Sequence, residues 1–376
     1  MKKLDQSTIR KLHIKEVLAL VNDQPGIARN SLSRQIGVSL MTITNLIDFL
    51  KEQEVLALSL TDREHPTARR TPGRIAEHIY LSGVRHTFLV VDLSSKVFRY
   101  ALMGFDMTLL HEGLCTGDLQ ADYPSRLNAF LLDLRSKLPG LLGSHELSGV
   151  AVVAPGPYVV KEDVILNQRI PGLNTIRLKE TLARLLGDYP YHVDEDVKLA
   201  ILAHYQPKGS ETLYFLHIGE GVGGATMLGD NMLRGLNAAA GDAGQLPDDG
   251  GSIYETTLST AAFAQALNVP EEALPALAES DPGAYRAALR DFARAASVML
   301  RSILWMLDPN RIVVSCDYAK PFEAEYIESL KNALAESFAG SIRRLPEITG
   351  PGEGMSSILR GAVRTLRREW VDRVVP

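Results

Sequence analysis

The sequence predicts a two-part α/β protein: a small helical head of about 80 residues, then a longer body in which strands alternate with helices. Three observations predict it. Apolar residues recur at three- and four-residue spacing through the first segments of the chain. Beyond about residue 85, β-rich runs ending in glycine-rich or acidic turns alternate with helical stretches. A length of 376 residues exceeds what one core ordinarily serves, so two or three domains are expected.

In the head, residues 8–21 read as an amphipathic helix whose apolar stripe is Ile9, Leu12, Val17, Leu20 and Val21, ended by Pro25-Gly26. A short helix over 31–36 runs into Gly37, and Ser39 is placed to cap a third helix over 39–50. There Leu40, Ile43, Ile47 and Leu50 are expected inside, leaving Ser39, Met41, Thr42, Thr44 and Asn45 outside. Helix, glycine turn, then a helix with small polar residues on its exposed start is the arrangement that enters a major groove. The alternative for this stretch is a plain three-helix interaction module. Residues 56–60 and 77–81 read as paired strands, and the loop 61–74 between them carries Arg69, Arg70 and Arg74, suited to phosphate or the minor groove. The head is therefore expected to be a winged helix-turn-helix DNA-binding domain over 1–82.

Composition narrows the rest. Hydrophobic residues at 45% and charged residues at 23% are ordinary for a soluble globular chain. No apolar run is long enough for a membrane span, the N-terminus lacks a signal-like core, and two distant cysteines offer no disulfide framework; a cytoplasmic protein is expected. Residues 1–80 hold 12 Lys+Arg against 9 Asp+Glu, leaving −8 for the remainder of a chain whose total is −5. A mildly basic head on an acidic body fits a DNA module joined to a ligand domain.

In the body, 88–93, 97–103, 149–154, 212–218 and 311–315 read as strands, and 287–307 as a long apolar helix. Two strand-led segments suggest two lobes facing a cleft, where a ligand is expected. Several motifs stand in order: Ala154-Pro155-Gly156-Pro157, Asn167-Gln168-Arg169-Ile170-Pro171-Gly172, Glu195-Asp196, Gly219-Glu220-Gly221-Val222-Gly223-Gly224, and Ala240-Gly241-Asp242-Ala243-Gly244-Gln245. Together they resemble the ROK family (repressors, open reading frames and kinases), which unites actin-like sugar kinases with winged-helix sugar-responsive repressors. The resemblance spans nearly the whole chain and implies a two-lobed actin-like (sugar kinase/ribonuclease H-like) effector domain over 83–376. Its lobes are expected at about 83–195 with the C-terminal helix, and 196–355.

The departures from the kinases shape the functional expectation. The kinase phosphate turn Asp-x-Gly-Gly-Thr-Lys is here Asp92-Leu93-Ser94-Ser95-Lys96, and the late triple glycine is Ser315-Cys316-Asp317. Side chains at the glycine positions and an aspartate beside polyphosphate oppose nucleotide binding. Gly219, Gly221, Gly223 and Gly224 then form a vestigial phosphate loop. The family's zinc histidine is Gln245, and no cysteine follows it in 246–253. No metal and no cofactor are expected.

The resemblance places Asp196 at the general-base position and gives a ligand set of Asn167, Glu195, Asp196, Asp242, Gln245 and Glu255. This set implies a sugar, polyol or cationic amino sugar unlike the common glucose-type ligands; the alternative is a pocket that has lost its ligand. The expected protein is a sequence-specific transcriptional regulator without kinase activity, a repressor of carbohydrate-utilisation genes. Its expected partners are palindromic double-stranded DNA, a sugar effector, and further copies in a homodimer or dimer of dimers. An ATP-dependent sugar kinase with an appended DNA-binding domain is the competing reading.

Overall fold

The computed structural model describes residues 5–60, 77–95, 97–115, 121–166, 172–205, 211–338 and 344–376. The chain divides into two compact units, Met1–Glu195 with Ala362–Pro376, and Asp196–Gly361.

The first unit opens with three helices, α1 (Gln6–Asp23), α2 (Arg29–Ile36) and α3 (Leu40–Glu52). Asp5 starts α1 by accepting the Thr8 N–H at 2.6 Å. Gly37 ends α2 in the left-handed region at φ 80°, where a Cβ would be strained. Ser39 then caps α3 by accepting from the Thr42 N–H at 3.1 Å. Strands β1 (Leu56–Ser59) and β2 (His78–Leu81) pair antiparallel, Leu56 opposite Leu81. The core joins Ile14, Val17, Leu18 and Val21 of α1 to Leu32, Ile36, Ile43, Leu46, Ile47, Leu50 and Ile79.

Three apolar assignments need correction. Ile9 and Leu12 are 39% and 45% exposed. At about 100° per residue they fall across the helix from the Ile14–Val21 face. Leu40 is 47% exposed because it opens α3 beyond the layer covered by α1 and α2, and Leu46 takes the inward place.

The chain continues through β3 (His86–Asp92), β4 (Arg99–Gly104), β5 (Leu109–Leu114), α4 (Tyr123–Leu142), β6 (Glu146–Ala154), the short pair β7 (Tyr158–Val159) and β8 (Val164–Ile165), α5 (Leu178–Leu185) and β9 (Tyr191–Glu195). Strand order is β5-β4-β3-β6-β9, with an antiparallel meander through β3–β5 and parallel pairing of β3, β6 and β9. Strands buried on both faces read as apolar runs, hence Phe88-Leu89-Val90-Val91 and Val150-Ala151-Val152-Val153. Leu89, Val91 and Leu102 pack with Leu127, Phe130 and Leu134 of α4.

The second unit repeats that topology. It begins with α6 (Asp196–His204), β10 (Thr212–Ile218), β11 (Val222–Leu228) and β12 (Asn231–Leu233). Helices α7 (Tyr254–Thr257), α8 (Thr260–Ala266), α9 (Leu274–Ser280) and α10 (Pro282–Leu307) follow, then β13 (Arg311–Cys316), α11 (Glu323–Ser337) and β14 (Glu347–Thr349). The order β12-β11-β10-β13-β14 is again a three-stranded antiparallel meander extended by two parallel strands. Alternation along β10 sends Tyr214, Leu216 and Ile218 toward α10 and α11, and Leu213 and Phe215 toward α6.

A final helix, α12, spans Ser357–Val374. Within the first unit its Trp370 meets Phe105 edge-on at 5.3 Å, Arg373 donates to the Ser148 carbonyl at 2.7 Å, and Glu369 lies 2.7 Å from His192. Its basic side chains also hold α1: Arg364 bonds Asp23 and Arg367 bonds Asn22, each at 2.8 Å, while Asp372 pairs with Lys15 at 2.6 Å. Among the described residues, no helix is long and apolar enough to cross a membrane.

Candidate functional site

In the second unit the fold gathers two of the expected motifs around one carboxylate. The turn Gly219–Gly221 joins β10 to β11, closed by Gly219 N–H donating to the Gly221 carbonyl at 2.8 Å. Glu255, near the start of α7, accepts from the Val222 N–H at 2.9 Å through Oε2. A Cβ at Gly221 would stand 2.8 Å from Glu255 Oε1, and one at Gly244 2.7 Å from its Oε2. Glu255 thus braces both the glycine turn and the 243–245 turn. Gly224 is required by close approach: a Cβ there would overlap the Tyr214 hydroxyl and lie 2.5 Å from the Gly241 carbonyl, to which Tyr214 Oη donates at 2.8 Å. The glycine at 224 serves this packing whether or not a phosphate ever comes near.

Asp196 opens α6 half-buried, its Oδ1 taking the Val197 N–H at 2.7 Å. Asp242 is half-buried just before the Ala243–Gln245 turn, and Gln245 is exposed. The sequence reading missed Lys198, which is 1% exposed within α6 and donates through Nζ to the Ala238 carbonyl at 2.5 Å. Its signal was present: a lone lysine in the apolar run Val197 to Ile201. The shortened loop at 246–253 is held by Asp248, whose Oδ1 accepts from Gly250 and Ser252 N–H groups, both at 2.9 Å.

Both turns at which the sequence departs from the kinase glycines make bonds within their own unit. In the first unit Leu93 is wholly buried, its carbonyl taking a bond from Tyr123 Oη at 3.1 Å. Asp92 Oδ1 is occupied by the N–H and hydroxyl of Ser94 at 2.9 and 2.6 Å. In the second unit, the Asp317 carboxylate closes on the glycine turn, 2.6 Å from where a Gly219 Cβ would stand, and is paired with Lys320 at 2.8 Å. Cys316 lies in the core, where burial pushes its thiol up to about 12, so it is no nucleophile near neutral pH.

Glu195 ends β9 in the first unit, 8% exposed. Its Oε1 accepts from the Tyr158 N–H at 2.8 Å, and Oε2 lies against Gly156 of the Pro-Gly-Pro turn. This carboxylate therefore ties two stretches of backbone. Asn167 lies outside the described residues, as do Arg69, Arg70 and Arg74 of the loop after β1. On α3, Ser39, Met41 and Asn45 are exposed, with Thr42 and Thr44 half-buried.

The duplicated five-stranded sheet, each copy a three-stranded meander continued by parallel strands, is the architecture of the actin-like sugar kinases. The chain belongs to the ROK family, whose family model matches residues 91–369. An uncharacterised protein of Sinorhizobium fredii is 24% identical over 358 residues, covering 89% of this chain and 85% of that one. An uncharacterised Clostridium perfringens protein is 25% identical over 179 residues, 46% of this chain and only 59% of its own length. A kanosamine kinase of Amycolatopsis mediterranei is 25% identical over 233 residues, 58% of this chain and 76% of that enzyme.

Among solved structures, a ROK family transcriptional regulator, a homolog of the E. coli MLC protein, matches with TM-score 0.70 and 16% identity, over 96% of this chain and 97% of its own. A ROK family glucokinase from Streptomyces griseus, in complex with glucose and AMPPNP, matches with TM-score 0.62 and 17% identity, over 75% of this chain and 99% of its own. The family thus includes regulators and sugar kinases among the neighbours of this fold.

Proposed function

We propose that the protein is a sequence-specific DNA-binding transcriptional regulator, a repressor of carbohydrate-utilisation genes whose kinase-like domain senses a sugar instead of phosphorylating it. The observation that carries the reading is the head. Helix α2, the left-handed Gly37, the Ser39-capped α3 and the β1–β2 ladder stand in the order expected of a winged helix-turn-helix, which supports the reading. In this reading Ser39, Met41, Thr42, Thr44 and Asn45 face the major groove, and Arg69, Arg70 and Arg74 serve the wing. The regulator structure aligns over 96% of this chain and the glucokinase over 75%, which supports a head that belongs to the protein's task.

Asp196, Asp242, Gln245 and Glu255 are the proposed hydroxyl-binding groups of the second unit. In the first unit Glu195, which also accepts from the Tyr158 N–H just after the Pro-Gly-Pro turn, and Asn167 are the proposed ligand groups. The acidic character favours a cationic amino sugar over a neutral hexose, so kanosamine belongs in the ligand panel. The side chains of Ser94 and Ser95 at the glycine positions and the Asp317 carboxylate against the glycine turn oppose a polyphosphate, supporting an effector domain without catalysis. Symmetric helix-turn-helix pairs read palindromes, so a homodimer or dimer of dimers on a palindromic operator follows.

Asp196 at the start of α6 and the retained glycine turn favour one competing reading, an ATP-dependent sugar kinase. Two assays on the full chain separate them. A regulator retards the promoter DNA beside its own gene, and one sugar of the panel changes that retardation. ADP release in a coupled assay with any panel sugar, together with thermal stabilisation by ATP, would establish the kinase instead.

A further inference from the structure

The outer face of α3 carries chemistry for only part of the base code. With Ile43, Leu46, Ile47 and Leu50 buried, the opposite stripe runs Met41, Asn45, Asp48 and Glu52. Met41 is 70% exposed and neighbouring Leu40 47%. The first two turns, from Ser39 to Ile47, hold no charged side chain. They therefore offer neither the arginine or lysine that pairs with guanine nor the carboxylate that accepts from cytosine.

The hydroxyls in the same turns are engaged locally. Ser39 Oγ caps the Thr42 N–H and lies 2.9 Å from Thr42 Oγ1, and Thr44 Oγ1 donates to the Leu40 carbonyl at 3.0 Å. Further along the stripe, Asp48 (3.6 Å from Arg29) and Glu52 would meet phosphate unfavourably, so only the N-terminal half of α3 suits the groove. The Ser39, Thr42 and Thr44 hydroxyls keep acceptor lone pairs but suit either kind of base pair, so the groups left to discriminate are one amide and two flexible apolar side chains. An amide matches the N6/N7 edge of adenine, and apolar groups match the thymine methyl.

We infer that α3 reads A·T base pairs, with Asn45 on adenine and Met41 and Leu40 against thymine methyls. This rests on the DNA-binding reading above and specifies its target. From Met41 to Asn45 the helix rises about 6 Å, enough for a core of two or three A·T pairs in each half-site.

The test uses the full-length protein. Sites selected from a random duplex pool should carry an A·T core in each half-site, and replacing one core pair by G·C should weaken binding about tenfold or more. Replacing core thymine by deoxyuracil removes only the methyl group and should weaken binding several-fold. Asn45→Ala should erase the preference for adenine, and Met41→Ala the discrimination between thymine and uracil. Both side chains are exposed, so both variants should melt as the parent does. Selected half-sites with an invariant G·C core, or indifference to uracil together with unchanged base preference in Asn45→Ala, overturn the inference while leaving DNA binding intact. Failure to retain any duplex sinks the DNA reading and the inference together.

Discussion

Replacing Arg367 should cost the protein less than replacing the asparagine it bonds. Arg367 is 4% exposed on α12, donates from Nη1 to Asn22 Oδ1 at 2.8 Å, and lies 5.4 Å over the Phe105 ring. Among the described residues its Nε and Nη2 have no hydrogen-bond partner. Burial, with Arg364 nearby, pushes its guanidinium down to about 9, so the charge is held at a cost. Asn22→Ala leaves a third buried donor unsatisfied and should destabilise the first unit by about 2 kcal/mol. For a unit of this size the melting midpoint should fall by roughly 4–8 °C. Arg367→Met keeps the length and apolar bulk, removes the buried charge, and leaves only the half-buried Asn22 amide, which water can reach. It should be neutral or stabilise by about 1–2 kcal/mol at pH 7. Urea unfolding of the two single variants and the double variant measures all three. If Arg367→Met is the more destabilising of the pair, the reasoning from burial is wrong.

Three further outcomes follow from named contacts. Glu195→Ala should orphan the buried Tyr158 N–H and cost about 1–3 kcal/mol, whereas Glu195→Gln keeps an acceptor; equal losses in thermal melts would refute the bracing role. Gly224→Ala should force Tyr214 off the Gly241 carbonyl and cost about 1–3 kcal/mol without any nucleotide present, and a parent-like melt would return that glycine to ligand chemistry. Burial works against a charged His192, but Asp194 and Glu369 outweigh it and raise its pKa to about 9. With the folded value above the ordinary 6.5, its stabilisation is complete below pH 6.5 and fades as pH rises through about 9. Glu369→Gln should flatten that part of the stability–pH curve, and an unchanged curve would remove His192 from the account.

Local information was strong enough to be read from the chain wherever neighbours in sequence decide the outcome. The Ser39 cap, the Gly37 turn, the strand over 212–218 and the β1–β2 pairing rest on periodicity and turn chemistry, which act over a few residues. Assigning Leu12 and Leu40 to the interior failed because apolar character alone does not say which side of a helix other elements will cover. The fates of the carboxylates were also illegible. Glu195 and Glu255 read as ligand groups from their motifs, but each spends hydrogen-bonding capacity on backbone that is 33 to 37 positions away in the chain.

The sequence by itself determined an α/β chain with a basic-leaning helical head, the ROK motifs in order, and substitutions at the nucleotide turns. Tertiary structure alone decided the contacts those turns make: Leu93 in the core, Ser94 on Asp92, and Asp317 against Gly219. It also decided that α12 grips α1 through Arg364, Arg367 and Asp372. These contacts join residues more than 340 positions apart, and their partners are set by packing geometry, of which residue spacing carries no trace.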